Sequence, residues 1–184
     1  MSGSIVPFEI AIPQDEVQRL KRKLQDTRLP PTEIVPGAAG NYGPSYQWAS
    51  DLYHAWLNDF DWYEHQKQMN TAPHFKYTHQ DGLKIHFLHL QSSRDNAIPL
   101  MMLHGWPGSF YEFNRVWGPL AEPSDAHEPA FHVVVPSLPG FAFSDWPPRA
   151  RWTLQDTADV LDSLMKELGY AEYVMQGFWK VQWT

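Results

Sequence analysis

The second half of the chain alternates short, wholly apolar runs with amphipathic stretches, and that alternation limits the available folds more than any other feature. The runs are "IPLMMLHG" (98–105), "FHVVVPSLPG" (131–140) and "EYVMQG" (172–177). The stretches between them place apolar side chains at helical spacing: Phe110, Phe113, Val116 and Leu120 in the first, and Leu154, Ala158, Leu161, Leu164 and Leu168 in the second. Thr153 stands where a helix N-cap belongs and Gly169 where a helix ends. Strands that are apolar throughout are buried on both faces, which calls for a parallel sheet covered by helices. The spacing therefore predicts an α/β fold.

Upstream the period changes. "HFKYTHQDGLKIHFLHL" (74–90) is two alternating runs around Asp81-Gly82, the signature of an antiparallel hairpin. Before it, "PFEIAIP" (7–13) alternates like a short strand, and Asp15 is positioned to cap a helix with Val17, Leu20 and Leu24 on one face, stopped by Pro30-Pro31. A stretch rich in proline and glycine (36–44) reads as a loop. Ser45 then opens a second helix whose inner face is predicted to carry Trp48, Leu52 and Trp56.

Composition removes several classes of function. A formal charge of −7 with no basic block argues against nucleic acid as a partner, whose phosphates require Lys and Arg. With no cysteine there are no disulfides, thiolate metal sites or thiol nucleophiles. The 9 histidines form no helical metal motif, and His86 and His89 would point to opposite faces of one strand, so no metal and no cofactor is expected. No run reaches membrane-span length and the first residues lack a signal-peptide pattern, which leads to the expectation of a soluble, cytoplasmic protein.

Chemistry concentrates in "LHGWPGSFYEF" (103–113). A buried strand ends at Leu103, a tight turn holds Gly105, Trp106, Pro107 and Gly108, and a helix is predicted from Ser109. Glycines let the backbone approach a ligand, and amides exposed at such a turn can face a developing negative charge. The Trp106 N–H is the obvious donor. Ser109 and Ser144 follow glycine-bearing loops but lack the small neighbours of a nucleophile elbow, so a cap or turn role suits them better.

Six strings, in order from Pro7 to Gly177, resemble the epoxide hydrolases of the α/β-hydrolase fold, in particular the microsomal-type branch with its own N-terminal region. They are "PFEIAIPQDEVQRLKRKLQDTRLP", "DFDWYEHQKQMNTAPHF", "DGLKIHFLH", "PLMMLHGWPGSFYEF", "FHVVVPSLPGFAFS" and "LMKELGYAEYVMQG". The resemblance implies an N-terminal region over residues 1–74, the first half of a hydrolase core over 75–177, and a divergent tail over 178–184. It implies that the Trp106 backbone N–H is one of two oxyanion-hole donors, and that His104, Gly105, Pro107 and Phe141 help to bind substrate. The family string Gly-Tyr-Gly-Phe-Ser is matched with Ala142 in place of a glycine.

The family hydrolyses epoxides to vicinal diols: an aspartate attacks the epoxide carbon while lid tyrosines protonate the oxygen, and a histidine with its acid partner then drives hydrolysis of the ester. Here the strand's Gly177 is followed by Phe178, Trp179, Lys180 and Val181 instead of Gly-Asp-Trp-Gly, and no carboxylate lies beyond Glu172. Nucleophile, lid and histidine/acid pair are all absent from the 184 residues. The resemblance thus implies an epoxide hydrolase family protein truncated at the elbow and inactive alone. The alternative is a non-catalytic binding or regulatory pseudo-enzyme that pairs with a full-length relative, with "EYVMQG" as an open sheet edge for a protein partner.

Overall fold

The computed structural model describes residues 3–37 and 41–177. The sequence reading of Phe178 to Val181, and of the tail 178–184, lies outside the described residues. Strands β1 (Ser4–Phe8), β2 (His74–Thr78), β3 (Lys84–Leu90), β4 (Ile98–Leu103), β5 (Phe131–Pro136) and β6 (Val174–Gly177) form one sheet in the order β1-β2-β3-β5-β4-β6. The pairs β1-β2, β2-β3 and β3-β5 are antiparallel, whereas β5-β4 and β4-β6 are parallel. Helices are α1 (Gln14–Gln25), α2 (Tyr46–Asn58), α3 (Trp62–Met69), α4 (Trp117–Ala121) and α5 (Leu154–Glu167), with a 3₁₀ turn at Phe110–Phe113. The protein is an α/β fold with a mixed sheet, as the alternation of periods predicts.

The chain divides into two compact units, residues 10–68 and the sheet unit formed by 1–9 with 69–184. These boundaries differ from the 1–74 and 75–177 parts read from the sequence, because β1 pairs antiparallel with β2 and so enters the sheet.

In the sheet unit the hairpin forms where Asp81-Gly82 predicts it. Gly82 adopts φ +89, its N–H donates to His79 O at 2.9 Å, and Asp81 Oδ1 accepts from Leu83 N at 3.1 Å. The core joins Ile85, Phe87, Met101 and Val134 of the strands to Val160, Leu161, Leu164 and Met165 of α5. Thr153 caps α5 as expected: its side chain accepts from Asp156 N while Asp156 reaches back to the Thr153 N–H, a complete capping box. Gly169, at φ +89, follows the last turn. Leu154 and Ala158, expected inward, are exposed, since burial in α5 begins only at Val160 and Leu161. The helix predicted over 109–121 is broken into the 3₁₀ turn and α4, and the break shifts the phase: Trp117 and Ala121 are buried in place of Val116, which is exposed.

In the unit 10–68, Pro13, in extended conformation, is the N-cap of α1; Asp15 lies in the first turn instead, where a carboxylate still favours the helix dipole. The helix ends at Gln25, before the two prolines. Ser45 caps α2, accepting from Trp48 N at 3.2 Å. Trp48, Leu52 and Trp56 are exposed, contrary to expectation. The inward stripe is Tyr46, Ala49, Tyr53 and Leu57, one residue out of phase, and it is fixed by Tyr53 OH donating to Leu24 O at 2.9 Å.

Candidate active-site turn

The register of β4 and β6 aligns Leu103 with Gly177, so the two parallel strands end side by side at their carboxyl ends. β5 ends at the same edge of the sheet and leads into the loop 137–145. In open α/β sheets, ligands bind outside these carboxyl ends.

His104 opens the turn and is fully buried. Its Nε2 accepts the Leu138 N–H at 3.1 Å, so its proton resides on Nδ1, which donates to Gly105 O at 3.2 Å. Burial holds the imidazole below its ordinary pKa, against the raising effects of the Gly105 bond and the nearby Glu112. A neutral histidine thereby ties the turn after β4 to the loop after β5. The Phe141 ring packs edge-on against His104, 5.0 Å between centroids, and is half-buried.

Trp106 presents its side chain to solvent, 85% exposed, and is joined to Pro107 by a cis peptide bond. Among the described residues the Trp106 N–H meets no acceptor. Gly108 lies beneath Glu112: a Cβ there would stand 2.1 Å from the carboxylate at the end of that exposed side chain, which would have to swing aside, and 3.2 Å from Gly105 O. Ser109 is a cap, its Oγ accepting from Tyr111 N at 3.3 Å. Ser144 is also structural, donating to Ser137 O at 2.7 Å.

The structure brings His104, Gly105, Trp106, Pro107 and Phe141 together at one end of the sheet. His104 reaches this site only through its packing and its Leu138 bond, since its ring is closed to solvent. Sequence reasoning missed a buried histidine pair, His74 and His86, whose Nδ1 and Nε2 lie 3.0 Å apart. Their alternation in "HFKYT" and "KIHFL" is visible in the sequence, but nothing local shows that register brings them together. No group of three or more metal-ligating side chains occurs among the described residues, and no helix among them is long and apolar enough to cross a membrane.

Comparison with known proteins agrees with this architecture. The family model for the epoxide hydrolase N terminus matches residues 5–113, and that for the alpha/beta hydrolase fold matches residues 98–178. Epoxide hydrolase 1 of Sus scrofa is 35% identical over 181 residues, covering 95% of this chain and 39% of the relative. The juvenile hormone epoxide hydrolase of Bombyx mori is 36% identical over 179 residues, covering 95% of this chain and 38% of the relative. The chain thus spans about two fifths of the length of these curated relatives. Among solved structures, Aspergillus niger epoxide hydrolase superposes with a TM-score of 0.82 at 38% identity, over 95% of this chain and 46% of that one. The silkworm juvenile hormone epoxide hydrolase gives 0.84 at 34%, over 96% and 47%. With the epoxide hydrolase N-terminal model matching more than half of this chain and the sheet geometry in agreement, this chain belongs to the epoxide hydrolase family of the α/β-hydrolase fold.

Proposed function

We propose that this chain supplies the N-terminal region and the first half of the core of an epoxide-hydrolysing α/β-hydrolase, with residues 1–74 and 75–177 in those roles. Its contribution to the chemistry is the Trp106 backbone amide as an oxyanion donor. The observation that supports this reading is the register of Leu103 with Gly177, together with a Trp106 N–H that meets no acceptor among the described residues. Gly105 and Pro107 shape the turn, His104 locks it, and Phe141 forms one wall facing the substrate. An oxyanion donor replaces neither nucleophile nor base, so the 184 residues alone open epoxides no faster than background. The substrate of the complete site is a small-molecule epoxide, and no residue described here calls for a cofactor.

Two assays test this. The purified chain with labelled styrene oxide should give no diol above a heat-killed control; diol formation would sink the claim that the nucleophile is missing. Residues 1–177 joined to the Aspergillus niger enzyme from its elbow onward should be active. In that chimera Trp106→Pro, which deletes the amide donor, should lower kcat by about 10²–10³, whereas Trp106→Phe should not. Equal activity of the two variants would remove Trp106 from the site.

A second reading, a non-catalytic partner protein, is favoured by one observation: among the described residues β6 is the last strand of the sheet, and its Met175 is 63% exposed and its Val174 also exposed. Light scattering on the chromatographed chain, alone and with a full-length relative, distinguishes them. A stoichiometric complex supports this second reading, and no association counts against it.

A further inference from the structure

We propose that the buried His74–His86 pair is a proton-sensitive latch on the loop from Ser137 to Asp145, which holds the loop against β3 while both rings are neutral and releases it when they take up protons. His86 is the hub. Its backbone N–H donates to Ser144 Oγ at 2.9 Å, its carbonyl accepts from Ser137 N at 2.8 Å, and its ring Nδ1 lies 2.8 Å from Ser137 Oγ. One step further along β3, Asp145 N donates to Lys84 O at 2.9 Å. The loop therefore continues the contact with β3 after β5 ends: β5 pairs with Phe87 to Leu90 of β3, and the loop takes over at His86 and Lys84, where Lys84 N also donates to Asp145 Oδ2 at 3.2 Å.

The proton positions follow from the far end of the chain. Met69 O can only accept, so the His74 Nε2 that lies 2.9 Å from it carries a hydrogen. Neutral His74 then has a bare Nδ1, which accepts from His86 Nε2–H at 3.0 Å. That leaves His86 Nδ1 bare, to accept the Ser137 hydroxyl. One added proton can be accommodated only if Ser137 turns its hydroxyl round to accept. A second sets N–H against N–H across the 3.0 Å contact.

Nothing packed against the pair compensates an added charge. β1 and the 3₁₀ turn present aromatic rings, Phe8 and Phe110 at 5.3 and 5.0 Å from His86, and the loop presents Phe143 at 5.2 Å. β2 presents Lys76, the cross-strand partner of His86, whose ammonium contacts Phe143 O. β3 contributes Lys84, a further cation. The neighbouring carboxylate, Asp145 of the loop, acts on Lys76. Burial first, and then the charges of His74 and Lys76, press the His86 pKa down to about 3; burial lowers His74 as well. A charge excluded this firmly is relieved by admitting water, and the loop, whose Ser137 and Ser144 hydroxyls meet His86 directly, is the element that gives way. The inference stands whether or not Phe141, which this loop carries, meets a substrate.

Hydrogen exchange of the full chain, corrected for intrinsic rates and followed by mass spectrometry near pH 7 and at about pH 4.5, reads the latch. Peptides over 137–146 should lose protection by about tenfold or more at the lower pH while β5 peptides keep theirs. His74→Gln with His86→Gln, where amides can donate and accept without titrating, should remove most of the pH dependence of loop protection, the remainder belonging to neutral His104, whose Nε2 holds the Leu138 N–H. Ser137→Ala keeps the backbone bonds and both rings but removes the hydroxyl that must turn, and should open at higher pH than the parent. Unchanged loop protection in the parent, or the parent's pH dependence persisting in the Gln/Gln chain, would overturn the proposal. Should that chain not fold, opening of Ser137→Ala at the parent's pH would do the same.

Discussion

The loop after β5 holds two left-handed residues two positions apart, Gly140 at φ +84 and Ala142 at φ +44. Exchanging them should have opposite effects. A left-handed conformation costs an L-residue about 1–2 kcal/mol, and glycine's greater freedom in the unfolded chain takes back about 0.5–1 kcal/mol. Ala142→Gly should therefore stabilise by about 0.5–1 kcal/mol, a rise in Tm of about 1–4 °C for a domain of this size. Gly140→Ala meets the same backbone cost and places a methyl 3.2 Å from the Trp146 ring. Trp146 is largely exposed and can swing aside, so the backbone cost dominates and the loss should be about 1 kcal/mol. Urea melts at neutral pH, with unchanged m-values as the check on the unfolded state, measure both. If Ala142→Gly were neutral or destabilising at unchanged m, the left-handed cost could not be what Ala142 carries, and the reasoning would fail.

Three further outcomes are expected. Arg94 donates to four carbonyls, those of Pro123, Asp125, Ala126 and Glu128. Arg94→Ala should cost about 1–3 kcal/mol and sensitise residues 122–129 to proteolysis, and Arg94→Lys, lacking the fork, should not restore resistance. Thr153→Ala removes the α5 capping box and should cost about 1 kcal/mol in a urea melt, while Thr153→Ser should cost little. Buried His86 and His89 have folded pKa values pushed down to about 3 and about 4 from 6.5. Between those values and 6.5 the unfolded chain binds more protons than the folded one, so stability is full above pH 6.5 and falls as the pH drops. Each group should remove up to about 1.4 kcal/mol per pH unit, so Tm should decline between neutral pH and about pH 4. A Tm flat over that range would show that the two rings are not buried and neutral as described.

Much of the candidate site is legible as a string, because a strand, a glycine-bearing turn and a following helix-like segment are local features. The positions of His104, Gly105, Trp106 and Pro107 needed only chain order. The role of His104 did not follow from it. That role depends on the Leu138 N–H, more than thirty residues away in the chain. The phase of α2 was misread for a related reason. Trp48, Leu52 and Trp56 are the larger stripe, but a helix faces whichever side its neighbour engages, and here Tyr53 meets Leu24 O.

The sequence by itself determined the local elements: the Asp81-Gly82 hairpin, the apolar strands β4 and β5, the Thr153-capped α5, and the absence of any carboxylate beyond Glu172. Periodicity, capping and turn chemistry act over a few residues and are written there directly. Only the tertiary structure decided that β5 lies between β3 and β4, that Leu103 stands beside Gly177, and that His74, His86 and Ser137 form one buried hydrogen-bonded chain. Those facts rest on strand order and register, which pair residues far apart in sequence by shared burial and backbone hydrogen bonds, and neither leaves a local mark.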